Sequence, residues 1–134
     1  MRFMLLQYYG NVSGPDCAPM WQWAPEDVQA HIDFQIALNA ALTESGEFVD
    51  AQGLAGPAEA KVVTSDGVNP PVITDGPYPE TKELIAGYRM IDVESWDRAL
   101  EIAAIAAAAP GEGGVPIQDH IEVRQVMGAP EPQL

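Results

Sequence analysis

Two helical segments, separated by short apolar strands, constrain the fold of this chain more than any other feature of its sequence. The first segment runs from Pro25 to about Ser45 and stops at Gly46, and the second follows Ser95 and reaches about Ala109. Proline in the first turn and serine at the N-cap favour the start of a helix, whereas glycine favours its end. Both segments are therefore predicted to be helices.

Short apolar runs of strand length surround the two helices. They cover residues 2–9, 47–52, 59–64, 71–74, 84–93 and 121–127. The resulting order, β-α-β-β-(β)-α-β, predicts an α+β fold in which a ferredoxin-like protomer places both helices on one face of an antiparallel sheet. The other face of such a sheet also needs a cover, and pairing two sheets in a homodimer would provide it.

Length, cysteine content and hydropathy indicate a single cytoplasmic domain. The 134 residues fit one domain at residues 1–127, with a mobile C-terminal tail at residues 128–134. Cys17 is the single cysteine, so it cannot form an internal disulfide, which suits a reducing compartment. No apolar run approaches the roughly 20 residues of a membrane span, and no cleavage-type site follows the first strand. We therefore expect no membrane association.

Charge and motif content exclude several functional classes. Six Lys and Arg oppose twenty Asp and Glu, for a formal net charge of −14, and the six cations are scattered along the chain. Because nucleic-acid binding depends on clustered cations that neutralise phosphates, we expect no direct DNA or RNA binding. The sequence contains no phosphate-binding glycine loop, zinc-ligand spacing or EF-hand loop, so we expect no metal and no cofactor.

His31 is the strongest chemical candidate that the residues alone provide. It lies at the centre of an apolar stripe on the first helix with Phe34, Leu38 and Leu42, and Asp27 on the same face could orient it. An imidazole titrates near neutral pH, so His31 could act as a general acid or base. The simpler interpretation, which sequence alone favours, is a half-buried histidine held by a backbone or carboxylate group.

Arg89 lies in the middle of GYRMIDV, within the strongest strand signal of the chain. Its guanidinium could bind a substrate carboxylate if the side chain faces a cleft. In a chain with an excess of fourteen negative charges, pairing with surface acids is the simpler alternative.

The stretch TDGPYPETKE at residues 74–83 combines a turn signal, two prolines and five ionisable side chains. Taken alone, Asp75 is a common turn residue whose carboxylate accepts a nearby backbone N–H. The sequence also contains RFMLLQYY at the start, HxxF on the first helix, SG at the end of that helix, GYRMIDV in the middle, and IEVRQVM near the end. Together these segments, over residues 1–127, resemble the YCII-related family. DGPY at residues 75–78 resembles the motif of its DGPF subgroup, with Tyr78 in place of the usual phenylalanine.

The resemblance implies a dimeric α/β barrel built from two ferredoxin-like protomers, with a cleft near the dimer interface that contains a His–Asp pair. Carried over by position, this pair is His31 and Asp75, which the resemblance identifies as the catalytic residues. Phe34, Tyr78 and Arg89 are the candidates for substrate binding.

Two hypotheses about function stay open. In the first, the chain is a cofactor-independent small-molecule enzyme, lyase- or hydrolase-like, in which His31 is the acid or base and Asp75 orients or balances it. In the second, it is a non-catalytic ligand-sensing or regulatory dimer that acts through a protein partner, in line with the link of DGPF proteins to sigma factors. Asp75 is then only a turn former, and a loop with Trp21 and Trp23 supplies the contact.

Overall fold

The structure is a computed structural model, and it describes residues 1–8, 20–56, 59–76, 85–117 and 120–130. Its main elements in chain order are β1 (Arg2–Tyr8), α1 (Pro25–Glu44), β2 (Phe48–Gly53), β3 (Ala60–Thr64), β4 (Val72–Gly76), β5 (Ile85–Asp92), α2 (Trp96–Ala107) and β6 (Ile121–Gln125). Cys17, Tyr78 and residues 131–134 of the expected tail lie outside the described residues. None of the helices in the described ranges combines the length and apolarity needed to cross a membrane.

Four strands form one antiparallel sheet in the order β2-β5-β1-β6. β3 and β4 pair only with each other, in a hairpin that lies between β2 and β5 in the chain. The expected α+β, ferredoxin-like fold is therefore confirmed, with the hairpin as an insertion between the second and third strands of the sheet. The predicted elements also lie close to their observed boundaries.

The alternation of side chains along the strands decides which of them the helices cover. Phe3, Leu5 and Ile91 are fully buried, and Phe3 lies directly opposite Ile91 in the antiparallel register. Leu5 lies opposite Arg89 in the same register, so Arg89 points to the same face as the apolar core. The sheet therefore projects a charged side chain into an otherwise apolar layer.

The two helices complete this layer, and local signals fix their ends. Their buried residues are Leu38, Leu42, Ala99, Ile102, Ala103 and Ala106. α1 ends before Gly46, whose φ of 79° is a conformation that glycine reaches without the steric cost that a Cβ imposes. Ser95 caps α2 as predicted, since its hydroxyl oxygen accepts from the backbone N–H of Arg98 at 3.2 Å.

An ion pair joins the short segment between α1 and β2 to the start of α2. Arg98 donates from Nε and Nη2 to the two carboxylate oxygens of Glu47, both at 2.9 Å, and the Ser45 hydroxyl donates to one of them at 2.8 Å. The hydrogen bonds from Arg98 hold the pKa of Glu47 below its ordinary value, against the opposing effect of burial. The bidentate geometry and the 16% exposure of the Glu47 side chain favour a stronger contribution than exposed ion pairs make.

We expect Glu47→Gln to lower the free energy of unfolding by about 1 to 3 kcal/mol at neutral pH, since hydrogen bonds to charged groups contribute about that much. Because the folded pKa of Glu47 is depressed, this stabilisation is present above the unfolded pKa and is lost as pH falls through the folded pKa. Wild type should therefore lose more stability than the variant between about pH 7 and pH 3, measured by urea unfolding.

The control for this prediction is Glu44→Gln, which makes the same substitution at an exposed carboxyl on α1. Equal losses of stability in the two variants would contradict a special role for the pair between Glu47 and Arg98.

Candidate functional site

A polar stripe on α1 faces the charged side chain that β5 projects. His31, Gln35 and Asn39 follow one another at intervals of four residues, so they share one side of the helix. Arg89 reaches from β5 to Gln35 and Asn39. We call these four side chains the candidate site.

Arg89 is the buried end of the candidate site, with 3% of its surface exposed. Its Nε donates to Oδ1 of Asn39 at 2.8 Å, and its Nη2 donates to Oε1 of Gln35 at 2.6 Å. Burial lowers the pKa of Arg89 from its ordinary value, but a guanidinium keeps its proton in proteins. None of the ion pairs among the described residues includes Arg89, so its charge is held by two neutral amides.

One nitrogen of this guanidinium has no hydrogen-bond partner among the described residues. Nη1 of Arg89 is buried and makes no hydrogen bond to any residue in the described part of the chain. Leaving a buried donor unsatisfied costs about 1 to 3 kcal/mol, and more for a charged group. Native proteins contain few such groups, and each one requires a physical explanation.

The arginine fixes the orientation of the Gln35 amide. A guanidinium only donates hydrogen bonds, so the oxygen of Gln35 faces Nη2 and the amide nitrogen points the other way. That nitrogen lies 3.3 Å from Nε2 of His31. Because an amide nitrogen only donates, Nε2 of His31 is the acceptor in this contact.

The second ring nitrogen of His31 agrees with this assignment. Nδ1 lies 2.9 Å from the carbonyl oxygen of Pro110, which only accepts. Nδ1 therefore carries the proton, and we assign the neutral tautomer with its lone pair on Nε2. Trp23 packs edge-on against the imidazole with ring centroids 5.8 Å apart. The position of the ring and the site of its proton are thus both determined by neighbours.

The loop after α2 brings the Pro110 carbonyl to His31. Asp27, in the first turn of α1, accepts from the backbone N–H of Gly113 at 3.0 Å and ties this loop to the helix. The sequence suggested that Asp27 itself orients the imidazole. In the structure Asp27 positions the loop, and the ring is oriented by Pro110 and Gln35.

Asp75 lies on the hairpin of β3 and β4, and its side chain is 83% exposed. It faces Lys61 across the hairpin, and the Lys61 ammonium donates to its carboxylate at 2.5 Å. His31 and Asp75 thus have different partners, and the structure does not bring them into hydrogen-bond contact. The catalytic role of this pair stays a prediction.

The residues expected to bind substrate do not lie together in the described part of the structure. Phe34 is half-buried and packs against the apolar core, whereas Arg89 belongs to the candidate site. Tyr78 lies outside the described residues. Sequence reasoning missed Gln35 and Asn39, although their spacing of four residues from His31 was a signal that they share its side of the helix.

The arrangement of the candidate site is chemically suited to proton transfer beside a fixed positive charge. Its imidazole presents a lone pair at Nε2, and its guanidinium presents N–H donors. Within the described ranges, no group of three or more His, Cys, Asp or Glu side chains is placed to hold a metal ion.

The chain is similar to known proteins along most of its length. The family model described as the YCII-related domain matches residues 1–126. An uncharacterised protein of Rhizobium meliloti (strain 1021) is 27% identical over 97 residues, which is 72% of this chain and 77% of that protein.

We expect the ¹⁵N NMR signals of the neutral His31 imidazole to show a protonated Nδ1 and an unprotonated Nε2. The physical reason is that the Pro110 carbonyl only accepts and the Gln35 amide nitrogen only donates. Long-range ¹⁵N–¹H correlation spectra measure both nitrogens. His31→Gln removes these signals and so separates them from those of the exposed His120. A dominant form with the proton on Nε2 would contradict the assignment.

Proposed function

The chain belongs to the YCII-related family, and from this premise we propose that it is a cofactor-independent small-molecule enzyme with His31 as its general acid or base. The observation that carries the proposal is the fixed neutral imidazole, with Nδ1 bonded to the Pro110 carbonyl and the lone pair on Nε2. A histidine held in this way can take a proton at Nε2 while its other nitrogen keeps the ring in place.

The Nε2 side of the imidazole is the more loosely held one. Nε2 lies 3.3 Å from the amide nitrogen of Gln35. By contrast, Nδ1 lies 2.9 Å from the carbonyl oxygen of Pro110, and Nη2 of Arg89 lies 2.6 Å from the amide oxygen of Gln35. A reacting group within hydrogen-bond reach can replace the long contact without disturbing the short ones. A base that removes a proton and returns it to a leaving group suits a lyase- or hydrolase-like reaction.

Asp75 enters the proposal as the second member of the catalytic pair. The sequence DGPY at residues 75–78 supports membership of the DGPF subgroup. The resemblance of this chain to that subgroup pairs Asp75 with His31. The carboxylate of Asp75 is bonded to Lys61 on the exposed hairpin. Because exposed ion pairs contribute little to stability, Asp75 can leave Lys61 for another partner at small cost.

The proposal includes a homodimer that forms through the sheet face turned away from the helices. Met4, Leu6 and Met90 belong to this face by strand alternation and are half-buried within one protomer, with Met4 directly opposite Met90. Pairing two such faces removes these side chains from water. The product is the dimeric α/β barrel that the resemblance implies.

A non-catalytic ligand-sensing or regulatory dimer is the second candidate. The hydrogen bond between Lys61 and Asp75 favours this candidate, because it gives the Asp75 carboxylate a partner other than His31. In this case, replacing Asp75 by asparagine leaves every activity unchanged.

We expect His31→Gln to lower proton-transfer activity by about 10²- to 10⁴-fold, the range that a general acid or base contributes. Exchange of carbon-bound protons for deuterium in a panel of small organic acids, amides and ketones measures this activity by ¹H NMR without knowledge of the product. Asp75→Asn should lower the same rate if the pair is catalytic. His120→Gln, at an exposed histidine before β6, is the matched control.

An exchange rate that is unchanged in His31→Gln would overturn the enzymatic proposal and leave the regulatory candidate. Loss of exchange in His31→Gln with a normal rate in Asp75→Asn would keep the enzyme and assign Asp75 to the hairpin.

We expect Met4→Glu to convert a dimer into a monomer, because a carboxylate on the apolar sheet face would be desolvated on pairing. Sedimentation equilibrium at micromolar protein concentration measures the mass. Ile36→Glu, on α1 at a side chain that is 60% exposed, is the control and should remain dimeric. A wild-type protein that is monomeric under these conditions would refute the proposed assembly.

A further inference from the structure

We propose that the unbonded edge of the Arg89 guanidinium binds the carboxylate of the substrate, so that the substrates are small organic acids. This inference rests on the proposed function, because it supplies the ligand of the same site. Its basis is a buried cation that the chain leaves without a counter-ion in the described residues.

The neighbours of Arg89 are neutral in a chain rich in acids. Arg89 is the one buried charged residue in the described part of the chain, although the sequence contains twenty Asp and Glu. The side chains that meet it from α1 are Gln35 and Asn39, which differ from Glu and Asp in a single group. A carboxylate at either position would neutralise the guanidinium. An uncompensated buried charge lowers stability, which is a common property of binding sites.

The hydrogen bonds of Arg89 leave one edge of the guanidinium available. A guanidinium has five N–H donors in a planar fork. Asn39 and Gln35 occupy the edge formed by Nε and Nη2. Nη1, which forms the adjoining edge with Nη2, makes no hydrogen bond with the described residues. Two parallel donors of this kind match the two oxygens of a carboxylate.

Burial makes this edge a strong anion site. Nη1 of Arg89 is shielded from solvent, so the effective dielectric constant there is lower than in water and the attraction to an anion is larger. His31, Gln35 and Asn39 are half-buried, so each of these side chains is partly exposed to solvent. A bound carboxylate would accept a hydrogen bond from Nη1 of Arg89 and would at the same time neutralise the guanidinium charge.

Gln35 sets the distance between the bound anion and the proton-transfer group. A single amide group spans the gap from Nη2 of Arg89 to Nε2 of His31. We therefore expect the reacting group of the substrate to lie close to its carboxylate.

Acetate and benzoate, each compared with its uncharged amide, test the inference by binding alone. We expect the two carboxylates to raise the midpoint of thermal unfolding and to shift the Nε–H NMR signal of Arg89, and the amides to do neither. Arg89→Met should weaken carboxylate binding about 10- to 100-fold. Arg124→Met, the same substitution at an arginine on β6 that is 70% exposed, should leave it unchanged.

Asn39→Asp is a second variant, which places a carboxylate on Arg89 without changing the shape of the side chain. We expect a higher unfolding midpoint without added ligand and, at the same time, weaker acetate binding, because the guanidinium is already neutralised. Acetamide binding as tight as acetate binding, or acetate binding unchanged in Asn39→Asp, would overturn the inference.

His31→Gln separates this inference from the proposed function, because His31 bonds to Gln35 and not to the guanidinium. We expect His31→Gln to bind acetate as wild type does while its exchange activity falls. If wild type binds no carboxylate but loses activity in His31→Gln, the anion site is wrong and the enzyme stands. If wild type binds carboxylates but His31→Gln is fully active, the anion site stands and the role of His31 is wrong.

Discussion

The hydrogen bonds from Arg89 to two amides of α1 are the interaction on which the candidate site depends. A buried guanidinium needs partners with defined positions, so these bonds specify how α1 lies over β5 more sharply than apolar contacts alone would. Through Gln35 the same bonds determine the acceptor role of His31 at Nε2. The Pro110 carbonyl then holds the opposite side of the ring. Removing the arginine would therefore leave the amides of Gln35 and Asn39 without the donor that orients them.

Much of the fold could be predicted from the sequence because its signals are local. Pro25 and Gly46 bound α1, and Ser95 caps α2, each through the conformation or hydrogen bond of a single residue. His31 and Arg89 were identified because an ionisable residue within an apolar pattern stands out. Sequence alone favoured a surface ion pair for Arg89, whereas the structure buries it among amides. The strand register that turns Arg89 toward the helices arises only when β1 and β5 pair.

The remainder of the site was not accessible from the sequence because it depends on contacts between distant segments. Gln35 and Asn39 are residue types that are common on a solvated helix face. Only the approach of Arg89, fifty residues beyond Asn39, distinguishes them from ordinary surface residues. The role of Asp27 depends in the same way on where the loop after α2 returns. For Asp75 the sequence indicated a turn, while its bond to Lys61 follows from the register of the hairpin.

The direction of the hydrogen-bond chain limits how a proton can reach or leave His31. Every donor points the same way, from Arg89 through Gln35 and His31 to the Pro110 carbonyl. A guanidinium cannot accept a hydrogen bond and a carbonyl cannot donate one, so no reversed arrangement exists. Relays through water or hydroxyl groups require that reversal, since each member passes on one proton and receives another. This series of hydrogen bonds therefore cannot relay protons, and a proton that reached Nε2 would have to come directly from a molecule in contact with it.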